Sequence, residues 1–154
     1  MAESKTPSLS TDPYNLERFV RAQSPDYDRA LSELRDGKKR SHWMWYVFPQ
    51  LEGLGRSSMS RQYSIKSATE ARAYLHHPVL GPRLKECATV VHRVMGRSAL
   101  EIFGSPDDLK LRSCATLFAH VSHDAVFRQL LHKYFDGQPD DETLQLLRAA
   151  AEPG

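Results

Sequence analysis

The chain has little cysteine, no long apolar run, almost no strand patterning and almost no net charge, and each shortage removes a class of protein. Its two thiols, Cys87 and Cys114, are far apart and lack the Cys/His spacing of a zinc site. That argues against a disulfide scaffold or structural zinc and points to a reducing cytoplasm. No apolar stretch approaches the ~20 residues that span a bilayer, and the first residues lack the basic start and apolar core of a secretory signal. A soluble, cytoplasmic protein without membrane attachment is therefore expected. The 21 basic side chains against 19 acidic ones leave a net charge of +2, spread along the chain rather than gathered into the basic stripe of a nucleic-acid binder. Nucleic acid is not the expected partner.

Helix punctuation is what the sequence does contain. At 154 residues the length fits one domain with a sizeable core. The expected fold is all-α, a single compact domain of about seven to nine helices over 12–151 with little or no sheet. Residues 1–11 and 152–154 are too polar or too short to bury apolar surface and read as mobile tails. Asp12 caps a first helix with Pro13 at its first position and Leu16, Phe19 and Val20 on its apolar face, ending near Gln23. Ser24 and Pro25 repeat that arrangement for a helix that buries Tyr27, Ala30, Leu31 and Leu34 and stops at Gly37. Ser41 caps a short third helix that must end before Pro49, and Gly53 to Gly55 form a loop. Ser67 and Glu70 make a capping box. A central core helix follows between Pro78 and Met95, with Leu84, Cys87, Ala88, Val91, Val94 and Met95 at helical spacing. Further helices are expected at 99–103, 106–121, 125–135 and 141–150.

Two segments stand out from this frame. Residues 38–50 run from Lys38, Lys39 and Arg40 through Ser41 and His42 into Trp43, Trp45, Tyr46 and Phe48, ending at Gln50. Aromatics this dense are buried or line a cavity, while the adjoining cations resist burial, so their junction suggests a pocket wall with an anion-binding rim. His42 reads either as a hydrogen-bonded core residue or as a catalyst. The cations read as a solvated loop or as phosphate contacts, and the tryptophans as core or as a stacking surface.

The second segment is the helix opened by Ser105 and Pro106. A step of about 100° per residue places Asp107 and Lys110 on the same face as Leu111, Cys114, Leu117, Phe118 and Val121. A carboxylate and an ammonium on a core-facing stripe must be paired in a buried network or open into a site. Otherwise Asp107 only complements the helix dipole and Lys110 reaches out along the core edge. Ser113, Thr116 and His120 form a neighbouring polar strip. The segment from Gly53 to Ser58 offers glycines, Arg56 and two hydroxyls but matches neither a nucleotide-hydrolase phosphate loop nor a dinucleotide fingerprint. The adjacent His76 and His77 point apart on a helix and are no metal pair. The two thiols sit on apolar stripes, where they are poor nucleophiles.

The blocks DPYNLERFVRAQ, KKRSHWMWYVFPQLEGLG, EARAYLHHPVLGPRL and IFGSPDDLKLRSCATLF, in this order, resemble the bacterial domain of unknown function family 1810 over residues 12–147. The resemblance implies an all-helical domain and brings no established activity. A more local similarity, in RFVRAQ, in Glu70 and Ala71, and in the order Phe103, Gly104, Asp107, links the chain to helical hydrolases that cleave N-glycosidic bonds of ADP-ribose-type compounds. It transfers no catalytic residue and indicates only which ligands to test.

These readings combine into one expectation: a pocket where 38–50 meets the start of the Ser105 helix, taking an anionic ligand such as a phosphorylated ribose or a nucleotide-like compound. Lys39, Arg40, Ser41, Trp45, Gln50 and Ser113 are the expected ligand contacts, without metal or cofactor. If the protein is a hydrolase of the N-glycosidase type, Asp107, Lys110 and His42 are its catalytic candidates. The competing expectation is a non-catalytic module that meets a protein partner through the basic loop and residues 53–60.

Overall fold

Side-chain caps from Ser57, Ser67, Ser98 and Asp140 open four of the helices in the computed structural model, which describes residues 12–151; the two expected tails lie outside the described residues. Among the described residues ten helices are formed, one more than the expected range. The first, α1 (Glu17–Gln23), begins later than the sequence suggests. Asp12 does accept the amides of Leu16 and Glu17, at 2.7 and 3.1 Å, but Asn15 at φ 53° separates this turn from the helix, so Pro13 is not its first residue. Helix α2 (Tyr27–Arg35) likewise starts after Asp26 rather than at Pro25, because the Ser24 hydroxyl turns back to the Val20 carbonyl at 2.8 Å. Short α3 (Met44–Val47) has Trp43, not Ser41, at its N-cap.

The additional helix is α4 (Ser58–Gln62). It buries none of its residues and depends on the Ser57 side chain accepting the Ser60 amide, so it leaves no apolar periodicity to read. In α5 (Ala68–His76), Ser67 accepts the Glu70 amide as expected, at 3.0 Å. The Glu70 carboxylate does not return to Ser67, however; it takes the Lys66 amide at 3.0 Å and the Arg18 guanidinium at 3.1 Å. Helix α6 (Leu80–Arg93) stops before Met95, because Val94 turns extended. Met95 is therefore not a core residue but is 85% exposed. The complete capping box belongs to α7 (Ala99–Phe103), between Ser98 and Glu101. Helices α8 (Asp107–Val121), α9 (Ala125–Phe135) and α10 (Asp141–Ala151) complete the chain.

Helix α8 packs against α5, α7, α9 and α10, while α6 packs against α2, α5 and α9. One continuous apolar cluster joins them. Through it runs a line of aromatic contacts from Phe19 to Tyr74, Phe118 and Phe127, with ring centroids 5.1, 5.5 and 5.6 Å apart. Gly81 lets α6 begin directly against the end of α5: a Cβ there would lie 2.0 Å from the Leu75 carbonyl oxygen. Arg18 pins α1 to the rest by donating to the carbonyls of Tyr14, Asn15, Gln62 and Ser64 at 2.7 to 2.8 Å, besides its pair with Glu70. Residues 50–52 and 65 meet in an isolated parallel bridge, Leu51 to Ile65. Among the described residues no helix is long and apolar enough to cross a membrane.

Candidate functional site

The site begins at the end of α2. Gly37 takes φ 70°, which closes the helix with bonds from the Gly37 amide to Leu34 and from the Lys38 amide to Glu33, each 3.0 Å. The chain thereby folds back over the side chain of Glu33, a buried carboxylate. One of its oxygens accepts the Arg40 amide at 2.8 Å, the Ser41 amide at 3.0 Å and the Trp43 indole N–H at 2.9 Å. The other accepts the Ser41 hydroxyl. Burial pushes the Glu33 carboxyl up, but the bonds from the Ser41 hydroxyl, the Arg40 amide, the Trp43 indole and the Ser41 amide outweigh it and lower its pKa from 4.5 to about 2. One ionised side chain thus fixes the loop at residues 40–43.

A second anchor joins this loop to α7 and α8. The Lys39 amide donates to the Ile102 carbonyl at 2.7 Å. Its ammonium donates to the Ser41 carbonyl, lies 5.1 Å from the centre of the buried Trp43 ring and pairs with Asp107 Oδ2 at 2.9 Å. The other Asp107 oxygen faces Lys110 at a longer 3.5 Å, and the Lys110 ammonium sits over the Trp45 ring at 5.2 Å. Asp107 is therefore bracketed by two cations of different character. Lys39 is 7% exposed and held by several partners, whereas Lys110 is 20% exposed and loosely held.

Lys39, Trp45, Asp107 and Lys110 line a cleft of about 390 Å³ that also includes Arg40, Ser41, His42, Ser105 and Pro106. Arg40 is exposed at its mouth and pairs with Asp36 at 3.1 Å. His42 is exposed and Trp45 half-buried. Gln50 and Ser113 lie instead in an adjoining cleft of about 430 Å³ that shares Pro106 and Lys110 with the first. The expected contacts are thus divided between two neighbouring clefts. Ser113 donates its hydroxyl proton to the Leu109 carbonyl at 3.2 Å, which leaves its lone pairs free to accept.

Other candidates serve the fold. His77 Nδ1 accepts the amides of Val79 and Leu80 at 3.1 and 3.3 Å, before α6. Burial pushes the Cys87 thiol up to about 12 and the Cys114 thiol well above its ordinary 9.0. Of the local hydrolase-like pattern, Arg18 and Glu70 form the partly buried pair described above. Gln23 donates to the Tyr46 carbonyl at 2.6 Å and to the Tyr74 hydroxyl at 3.0 Å. Sequence reading missed Glu33, although its place between Leu31 and Leu34, beside the buried stripe of α2, was a signal.

Comparison with curated proteins finds no match. Among solved structures, the chain is similar to the conserved hypothetical protein Rv1873 from Mycobacterium tuberculosis, with 54% identity and a TM-score of 0.88 over 89% of this chain and 99% of that one. The family described as protein of unknown function (DUF1810) matches residues 13–147. With that span and that identity, the chain belongs to the DUF1810 family.

Proposed function

We propose that the cleft between the 39–45 loop and the start of α8 binds a phosphorylated ribose or a nucleotide-like small molecule. The observation that carries this reading is the Lys110 ammonium, held by a 3.5 Å contact to Asp107 above the half-buried Trp45 ring. A cation so loosely paired gains by turning to a phosphate, and the ring beneath it offers a surface for a sugar or base. Lys39, held on several sides, keeps Asp107 and the wall in place. Arg40 adds a cation at the mouth, so the lining carries three cations, Lys39, Arg40 and Lys110, against one carboxylate, Asp107.

Binding is better supported than hydrolysis. Paired-carboxylate glycoside cleavage needs two acidic groups flanking the bond, and Asp107 alone lines this cleft. N-glycosidic cleavage here would use Asp107 to stabilise the oxocarbenium centre and His42 to protonate the leaving nitrogen, with water adding to the anomeric carbon. Thermal unfolding against ribose 5-phosphate, ADP-ribose, NAD and nucleotides tests the reading. A ligand at ~100-fold its Kd adds ~2.7 kcal/mol, a shift of several degrees at this size, and Lys110→Gln should remove it. No shift across a saturating panel would refute the binding site. Product formation abolished in Asp107→Asn would establish the catalytic version, and binding without turnover would exclude it. A protein partner is the second reading, favoured by Leu109, which is 54% exposed on the rim of the adjoining cleft.

A further inference from the structure

The two clefts meet at Lys110 and Pro106, and their linings differ in kind. The first is cationic. The second, apart from Lys110, sets one cation, Arg56, against the carboxylates of Asp140 and Glu142 and adds Gln50, Ser57, Ser60 and Ser113. Two of these groups are fixed as acceptors. Ser113 has spent its proton on the Leu109 carbonyl, at 3.2 Å. Asp140 is held by its amide on Thr116 at 2.8 Å, while one of its oxygens takes the amide and hydroxyl of Thr143 at 2.9 and 2.6 Å. The opposite wall is kept close by Gly55, where a Cβ would lie 2.5 Å from that of Ser60 and 3.4 Å from the Gln50 amide nitrogen.

We infer that the two clefts form one bipartite site in which Lys110 marks the junction, the first lobe takes a phosphate, and the acceptor-rich second lobe takes the hydroxyl groups of the attached sugar. The inference rests on the binding reading above and adds its orientation and its specificity. Electrostatics set the direction: the Asp140 and Glu142 carboxylates repel a phosphate and accept from hydroxyl donors, while Lys110 and Arg40 do the reverse. The joined volume, about 390 and 430 Å³ for the two lobes, falls in the range of small-molecule sites. A sugar phosphate should therefore bind better than phosphate alone, and the gain should come from the second lobe.

Calorimetric titration of the full chain with inorganic phosphate and with ribose 5-phosphate tests this, using wild type, Lys110→Gln and a Ser113→Ala/Glu142→Gln double variant. These last positions alter a single hydroxyl and an exposed carboxylate, so the fold should survive, as circular dichroism would verify. The expected result is ribose 5-phosphate binding at least about tenfold tighter than phosphate, a ratio requiring only one or two net hydrogen bonds. That preference should fall below about twofold in the double variant through weaker ribose 5-phosphate binding, while phosphate, relieved of the Glu142 charge, binds no more weakly than before, and Lys110→Gln should weaken both ligands. Phosphate binding at the Lys110 lobe with no added preference for the sugar, or a preference that survives the double variant, would overturn the second lobe alone. If neither ligand binds, or Lys110→Gln leaves binding unchanged, the binding reading itself fails and the inference with it.

Discussion

Replacing Glu33 by Gln preserves shape while removing charge, and the structure gives the cost. The Gln oxygen can still accept the Arg40, Ser41 and Trp43 N–H groups, and its amide can donate to a reoriented Ser41 hydroxyl, so no buried donor is orphaned. What disappears is the preference of four bonds for an ionised acceptor. The fall of the carboxyl pKa from 4.5 to about 2 corresponds to about 3 kcal/mol at 1.36 kcal/mol per unit. Because the folded value is the depressed one, this stabilisation is complete above the unfolded pKa and is lost as pH falls through the folded value. Urea unfolding should therefore find Glu33→Gln about 3 kcal/mol less stable than wild type at pH 7, narrowing to about 1 kcal/mol at pH 3. Equal stability at pH 7, or a deficit unchanged between pH 7 and 3, would refute the role assigned to this carboxylate. The variant should also loosen the 40–43 loop and lower ligand affinity, although Glu33 itself does not line the cleft.

Three further outcomes follow from the packing. Gly81→Ala sets a methyl group 2.0 Å from the Leu75 carbonyl oxygen and should cost more than about 2 kcal/mol in urea unfolding; a change within 0.5 kcal/mol would contradict the close approach of α5 and α6. Arg18→Met leaves the buried Glu70 carboxylate without its partner and should cost about 3 to 5 kcal/mol, part of which the Arg18→Met/Glu70→Gln double variant should restore. With Cys87 at about 12 and Cys114 well above 9.0, neither thiol should react with iodoacetamide at pH 8 until urea unfolds the chain, as mass spectrometry would read. Rapid labelling of the native protein would contradict their burial.

Apolar spacing and cap residues made the helices legible because those signals are local. Leu84, Cys87, Ala88 and Val91 announce α6, and Gly37 announces the end of α2. The misreadings occur where tertiary partners override local chemistry. Ser41 is a good cap in isolation, but Glu33 claims its hydroxyl. Glu70 would complete its box on Ser67, but Arg18 draws it across to α1. Met95 continues a helical stripe that the backbone has already left at Val94. In the candidate site, the meeting of residues 39–45 with Asp107 and Lys110 was foreshadowed by aromatics beside cations and by charges on a core-facing stripe. The second lobe was only partly so: Arg56 and Ser57 belong to a segment of weak signal, and Asp140 and Glu142 reach it only because α10 packs on α8. No spacing within one segment encodes that juxtaposition.

The binding site is tested most directly by titrating ribose 5-phosphate and ADP-ribose into isotopically labelled protein and following the backbone amide resonances. Saturable shifts should concentrate at residues 39–45 and 107–110 and be weakened by Lys110→Gln. The absence of saturable shifts with either ligand, or shifts confined to the separate cleft around Pro13 and His77, would contradict the account.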